Sequence, residues 1–244
     1  MAGHSRWSNI KRAKAANDAK RGKIWSKIAR KIIIAAKRGG DPRDNLALRY
    51  VIDEAKAANM PRDTIDKAIA KGTGELASDN YEDVVYEGYA PGGVAVLVEA
   101  LTDNRNRTAP EMRKVFEVHG GSLATSGSVA FQFTRQGLIT VKSDAVDEDK
   151  LLELALEAGA EDVNREEGLF EVITAVADFH KVKEALEAAN IPIEAAELAN
   201  IPNMSVDIGE AQAQQLLKLL DAIEDNDDVQ NISHNANIPD SVAV

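Results

Sequence analysis

The stretch VVYEGYAPGGVAVLVEALTD, residues 84–103, marks the point where the hydrophobic pattern of this chain changes its period. On both sides of the Pro91-Gly92-Gly93 turn the apolar residues follow the alternation of extended chain, which predicts two β-strands joined as a hairpin. Upstream of this stretch the apolar residues recur every three or four positions, as on one face of an α-helix. The sequence therefore predicts an α+β fold in which a helical domain precedes the first sheet.

The helical domain is predicted to be a three-helix bundle that covers residues 1–75. Its helices are expected at about residues 20–38, 44–58 and 62–71. The turn before the third helix has about the length found in a helix-turn-helix motif. However, Asp63 and Asp66 lie in the first turns of that helix, where base-contacting residues should be Arg, Asn or Gln. We therefore favour a bundle whose first helix, not its third, faces nucleic acid.

Residues 137–203 have strand and helix patterns in the order strand, helix, strand, strand, helix, strand. This order is that of the ferredoxin-like fold. The chain that follows supplies one helix and one strand, which cannot form a domain alone. We therefore predict that residues 204–244 complete the sheet that begins in residues 81–135. The ferredoxin-like domain is then inserted in this second domain, and the chain is a multidomain α+β protein.

Two shorter segments give local predictions. Thr108 and Glu111 have the spacing of a capping box, which predicts that a helix begins at Thr108. The segment SVAFQFT, residues 128–134, has apolar residues at alternate positions. This alternation predicts a β-strand that carries Phe131 on the same face as its apolar neighbours.

Positive charge is concentrated at the start of the chain. The first forty residues hold twelve Lys or Arg and one acid, a formal +11, so the rest of the chain carries −22 of the overall −11. This separation indicates a basic surface for a polyanion, carried by an acidic body. A solvated helix face is the alternative, although solvated faces usually mix both signs.

We predict that this basic segment binds the phosphates of nucleic acid, so that affinity falls steeply as salt rises. Trp7 can stack on an exposed base, which favours single-stranded or structured RNA, or it can pack on the helices. Arg105 and Arg107 precede the predicted helix N-terminus, where anions are favoured, or they are exposed loop residues. The candidate nucleic-acid-binding residues are Arg6, Trp7, Lys11, Arg12, Lys14, Lys20, Arg21, Lys23, Lys27, Arg30, Lys31, Arg105 and Arg107.

The remaining residue types argue against an enzyme. The chain has no cysteine, which excludes disulfides, thiolate catalysis and cysteine-based metal sites. The histidines are scattered without metal-ligand spacing, and the glycine-rich segments lack the spacing of phosphate-binding loops. Residues 224–228, EDNDD, resemble half a calcium loop without its glycine and final glutamate, so a solvated turn is predicted. We therefore expect no catalytic residue, no cofactor and no metal.

No secretory signal or membrane-spanning run is recognisable, so we expect a cytoplasmic protein without a membrane partner. An organelle transit peptide is the alternative for the basic N-terminus. Trp7, Asn9 and Asn17 argue against it, because they interrupt any lipid-binding stripe. No dimer signature is present in the sequence, and we expect a monomer.

Several motifs carry a family resemblance. They are MAGHSRW at 1–7, AKRGKIW at 19–25, YEGYAPGG at 86–93, DNRNRT at 103–108, GGSLATSGSVAFQF at 120–133 and ALEAGAEDV at 155–163. Together they resemble the YebC family of bacterial proteins, which has mitochondrial relatives. The resemblance covers essentially the whole chain and implies a helical domain followed by two α+β domains, the third inserted in the second. Ala90 and Ala124 stand where this family is expected to have Gly, and a positive φ there would cost about 1 kcal/mol.

The resemblance implies one of two functions. Such proteins are described as transcriptional regulators that bind DNA, while a second description makes relatives translation factors at the ribosome. We predict a non-enzymatic, DNA-binding transcriptional regulator, with a ribosome- or RNA-binding translational activator as the alternative. A protein-only adaptor is a third class, since an acidic body can also bind basic proteins.

Overall fold

The computed structural model describes residues 21–77, 80–166, 168–239 and 241–242, without the side chains of Arg21 and Glu166. Within these residues the chain forms seven α-helices, two four-stranded antiparallel sheets and one short parallel pair of strands. The α+β class predicted from the sequence is therefore confirmed. None of the described helices is long and apolar enough to cross a membrane.

Three helices come first along the described chain. They are α1 (Arg21–Ala36), α2 (Leu46–Ala57) and α3 (Arg62–Thr73). Their apolar faces share one core, in which Ile32 and Leu48 are fully enclosed. Gly72 lets α3 approach α1 closely, because a Cβ at this position would collide with the carbonyl oxygen of Ile33. Helical periodicity in the sequence thus places the core correctly.

Asn45 ties the end of α1 to the start of α2. Its side-chain oxygen accepts the backbone N–H of Leu48 at 3.1 Å, which caps α2. Its amide nitrogen donates to the carbonyls of Ala35 and Gly39 at 2.8 and 2.7 Å. The side chain therefore satisfies backbone groups at both helix ends.

The first sheet has the strand order β3-β1-β2-β9. Its strands are β1 (Glu82–Ala90), β2 (Val94–Thr102), β3 (Ser122–Leu123) and β9 (Val229–His234). Helices α4 (Arg105–Val118) and α7 (Glu210–Glu224) cover one face, with Phe116 and Leu216 fully buried against the strands. The last long strand, β9, pairs with β2. A short parallel pair of β8 (Val206–Asp207) and β10 (Ala236–Asn237) lies outside this sheet.

The second sheet has the order β5-β6-β4-β7, and all of its strand pairs are antiparallel. Its strands are β4 (Phe133–Lys142), β5 (Ala160–Glu166), β6 (Leu169–Thr174) and β7 (Ile193–Pro202). Helices α5 (Glu148–Ala158) and α6 (Phe179–Ala188) share its core, where Leu151, Phe170 and Leu186 are buried.

Of the strand predicted at residues 128–134, only Phe133 and Thr134 are in a strand, and the prediction is wrong for the residues before them. Ala130–Gln132 form a 3₁₀ turn, β4 begins only at Phe133, and Phe131 is 73% exposed. The cause is the buried carboxylate of Glu87, which accepts the backbone N–H groups of Gly127, Val129 and Ala130, just before and at the start of the turn. Those N–H groups are therefore not available to a neighbouring strand.

The helix start predicted at Thr108 is also wrong. Asn104 is the N-cap of α4, because its side chain accepts the backbone N–H of Arg107 at 3.2 Å. Thr108 lies inside the helix and is fully buried. Ala90 and Ala124 carry no strain, since neither has a positive φ.

Candidate nucleic-acid interface

The predicted nucleic-acid-binding residues fall into three groups in the structure. Arg6, Trp7, Lys11, Arg12, Lys14 and Lys20 lie outside the described residues. Arg21 begins α1, and its side chain is not described. The described candidates are Lys23, Lys27, Arg30 and Lys31 on α1, and Arg105 and Arg107 on α4.

The cations of α1 lie away from its apolar face. Ile28 and Ile32 are buried among the three helices. Lys23, Lys27 and Arg30 are spaced four and three residues apart, which aligns them along one side of the helix. We call these three residues the basic stripe.

The basic stripe faces residues 224–228, which we call the acidic turn. Lys23 Nζ donates to the carbonyl oxygen of Asp225 at 3.0 Å and to its carboxylate at 3.3 Å. Lys27 Nζ donates to the carbonyl oxygen of Glu224 at 3.5 Å. The turn is solvated at Asp225 and Asp227, whose side chains are 60% and 68% exposed, but it also contacts the cations of α1, which the sequence did not predict.

Arg30 contacts the far end of the acidic turn. Its guanidinium donates to the carbonyl oxygen of Asp227 and lies 3.4 Å from the carboxylate of Asp228. The same guanidinium lies over the ring of Tyr81, 5.5 Å from the ring centre. Its side chain is 18% exposed, whereas that of Lys23 is 36% exposed. Arg30 is therefore more enclosed than Lys23. The pKa of Lys27 is lowered by burial, against an opposing effect of Glu224.

Asp228 joins the stripe to the first turn of α4. Its carboxylate accepts from Arg107 and from the hydroxyl of Thr108, each at 2.7 Å, and its side chain is 5% exposed. Burial opposes the charged form of this carboxyl, yet hydrogen bonds from Arg107, Thr108 and Thr102 lower its pKa. Asp228 is therefore an ionised, enclosed junction between α1, α4 and the end of α7.

The sequence predicted that Arg105 and Arg107 precede a helix. They lie instead in the first turn of α4. Arg107 is bonded to Asp103 at 2.9 Å as well as to Asp228, so the protein itself uses its donors. Arg105 is 3.5 Å from Glu82, and its side chain is 56% exposed. The structure therefore leaves Arg105 more accessible to a ligand than Arg107.

Lys31 lies apart from the basic stripe. Its Nζ bonds the carboxylate of Glu54 on α2 at 2.9 Å. This contact stays within the helical segment and does not involve the acidic turn.

The residues missed at the sequence level are those of the acidic turn. Nearly two hundred residues separate it from the basic stripe, as the separation of 197 between Lys27 and Glu224 shows. The run of four acids is visible in the sequence, but nothing local indicates which cations it contacts.

Family models of known proteins match two parts of this chain. The model described as the TACO1/YebC protein N-terminal domain matches residues 5–75. The model described as the TACO1/YebC second and third domain matches residues 81–236.

Relatives among curated proteins and solved structures are similar over nearly the whole length. A probable transcriptional regulatory protein of Idiomarina loihiensis is 52% identical over 244 residues, which cover 99% of this chain and 98% of the relative. One from Geobacter sulfurreducens is 52% identical over 239 residues, which cover 98% of this chain and 96% of the relative. The crystal structure of a conserved hypothetical protein from Aquifex aeolicus has a TM-score of 0.85 at 49% identity and covers 96% of this chain and 98% of that chain.

Proposed function

The chain belongs to the TACO1/YebC family, and from this premise we propose that it is a cytoplasmic, non-enzymatic regulator of transcription that binds DNA. Its relatives are named probable transcriptional regulatory proteins. Binding takes place through phosphate contacts from the basic N-terminal segment and α1, and Arg105 adds a cation on α4.

The observation that carries this proposal is the chemistry of the basic stripe. Its three side chains donate to carbonyl oxygens of the acidic turn, and Lys23 and Arg30 also contact its carboxylates, so the stripe presents cations in series to a row of oxygen acceptors. Phosphate groups along a nucleic acid offer the same acceptors in series. The charge separation along the chain adds long-range attraction for a polyanion.

An RNA or ribosome target is the second candidate, and the third helix favours it. Asp63 and Asp66 are exposed at the start of α3, where they leave few donors for base edges in the major groove of a DNA duplex. A face made of cations alone binds by charge and shape, which is how structured RNA is commonly bound.

We also propose a three-domain arrangement, with residues 1–75, 81–135 together with 204–244, and an inserted ferredoxin-like domain at 137–203. The shared core of α1 to α3 supports the first as a three-helix bundle. The pairing of β9 with β2 supports the second. The order β5-β6-β4-β7 with two helices on one face supports the third.

The test compares DNA binding by the full chain and by a variant in which Lys20, Arg21, Lys23 and Lys27 are replaced by Ala. Fluorescence anisotropy with a labelled DNA duplex is recorded between about 50 and 200 mM salt. We expect wild-type affinity to fall steeply with salt, because phosphate binding releases counterions. The variant should bind far more weakly and show a shallower salt dependence.

The matched control removes the same charge elsewhere, by replacing the exposed residues Lys114, Lys142, Lys150 and Lys181 with Ala. Equal losses in both variants would show that net charge, and not the basic segment, controls binding. Sedimentation with ribosomes in the presence of excess DNA duplex separates the two targets. If the protein co-sediments with ribosomes saturably and excess DNA duplex does not compete, the translational role is favoured over the transcriptional one.

A further inference from the structure

The acidic turn contacts the basic stripe as a short polyanion would. Along the turn, the carbonyl oxygens of three residues and the carboxylates of three residues lie near the cations of α1. Each cation of the stripe contacts the turn: Lys23 contacts Asp225, Lys27 contacts Glu224, and Arg30 contacts Asp227 and Asp228. The face proposed to bind phosphate is therefore already occupied within the protein.

From this geometry we propose that the acidic turn is an internal competitor of nucleic acid, which must leave the basic stripe before phosphates bind there. The inference rests on the proposed function, since a competitor requires a ligand. Binding and release of the turn then control how much of α1 is available, and nucleic acid moves the helical segment away from α7.

The outer contacts of the turn are weak enough to be exchanged. The side chains of Asp225 and Asp227 are 60% and 68% exposed. Exposed ion pairs contribute little to stability and are screened by salt. A nucleic acid that presents several phosphates to the same cations can therefore replace them.

The inner end of the turn stays in place when α1 leaves. Asp228 keeps its bonds to Arg107 and Thr108, both on α4, after Arg30 departs. The carboxylate thus remains paired, and release does not leave an isolated buried charge. On release, α1 moves away from the acidic turn, while the first sheet and the helices that cover it keep their structure.

The first test removes the two exposed charges of the turn in the full chain, as D225N together with D227N. Asn has nearly the same shape, so the change weakens the competitor without altering the basic stripe. Affinity for the labelled DNA duplex and for an RNA hairpin is measured at about 150 mM salt. We expect an increase of about tenfold, or about 1.4 kcal/mol, on the nucleic acid that the wild type binds.

The control is D144N together with E153Q, which removes two exposed acids near α5 that lie outside the acidic turn. It gives the same net charge as the test variant, so we expect its affinity for nucleic acid to differ from that of the wild type by at most twofold. An equal increase in the control would overturn the proposal in favour of a general charge effect. If the wild type binds nucleic acid and D225N/D227N binds with no higher affinity, the proposal is overturned while the proposed function stands. Absence of binding in all three proteins would overturn both.

The second test measures the movement itself. Because the chain has no cysteine, K67C and E117C accept a donor and an acceptor dye on exposed positions of α3 and α4. We expect energy transfer between the dyes to change as nucleic acid saturates the protein, and D225N/D227N to show part of that change without ligand. Unchanged transfer at saturation would overturn the proposal, since nucleic acid would then bind with the turn still in place.

Discussion

Replacing Glu87 by Gln is expected to destabilise the segment that leads into β4. The Glu87 side chain lies on β1 and is 3% exposed. Its two carboxylate oxygens accept the backbone N–H groups of Gly127, Val129 and Ala130 at 2.6, 2.7 and 2.8 Å. This single side chain therefore replaces the strand partner that those groups lack.

The size of the effect follows from these contacts. A hydrogen bond to a charged group contributes about 1.5–3 kcal/mol. Gln keeps one oxygen but turns an NH₂ group toward backbone donors, so at least one N–H loses its acceptor. We expect Glu87→Gln to lower the free energy of unfolding by about 2–3 kcal/mol, because one charged bond is lost and the others become neutral.

Hydrogen exchange combined with urea unfolding measures this loss. The amides of Gly127, Val129 and Ala130 should exchange much faster in the variant, and the urea midpoint should fall. Glu117→Gln is the control, because this acid is exposed at the end of α4 and its change should stay within about 0.5 kcal/mol. Unchanged protection of the three amides would refute the reasoning, since it would mean that another acceptor holds them.

Three further predictions concern pH and packing. Burial opposes the charged forms of Glu87 and Asp228, but hydrogen bonds lower the pKa values of both carboxyls. The stability that each ionised carboxylate contributes is therefore complete above the unfolded pKa of about 4 and is lost as pH falls through the lower folded pKa. Urea titrations should therefore show the gap between wild type and Glu87→Gln to be constant at neutral pH and to close in acid. Asp228→Asn should cost about 2 kcal/mol, measured by urea unfolding, because Arg107 and Thr108 lose a charged acceptor; a change as small as that of an exposed acid would contradict the enclosed junction. Gly72→Ala should cost about 1–3 kcal/mol through overpacking, whereas Gly22→Ala, with open space around the added carbon, should be neutral or stabilising in the same assay; equal effects would contradict the close approach of α3 to α1.

Local periodicity predicted most of the fold because it reports which side of an element is buried. The hairpin of β1 and β2 and the return of β9 to that sheet needed only alternation and the requirement that a strand has partners. The errors occur where a distant side chain decides the local structure. The apolar residues of the segment 128–134 alternate as in a strand, but hydrogen bonds to Glu87 hold part of this segment in a turn. Glu87 lies about forty residues away in sequence.

The start of α4 has the same kind of explanation. Thr108 and Glu111 fit a capping box, but the hydroxyl of Thr108 bonds the carboxylate of Asp228, 120 residues further along the chain. Asn104 then caps the helix in its place. The cations of the candidate site could be predicted, since a run of positively charged residues is visible in the sequence. The acidic turn that they contact could not be predicted, because no local pattern indicates that residues near 225 meet residues near 25.

The pairing of β4 with β7 has a mechanical consequence. Phe133, which begins β4, is the register partner of Pro202, which ends β7. Beyond this pair the backbone N–H of Asn203 still donates to the carbonyl of Gln132 at 2.8 Å. A force that pulls the flanking chain apart therefore loads these bonds one after another from the open end, as in a zipper, instead of shearing them together. The second sheet should therefore yield at low force to tension applied through its flanking chain.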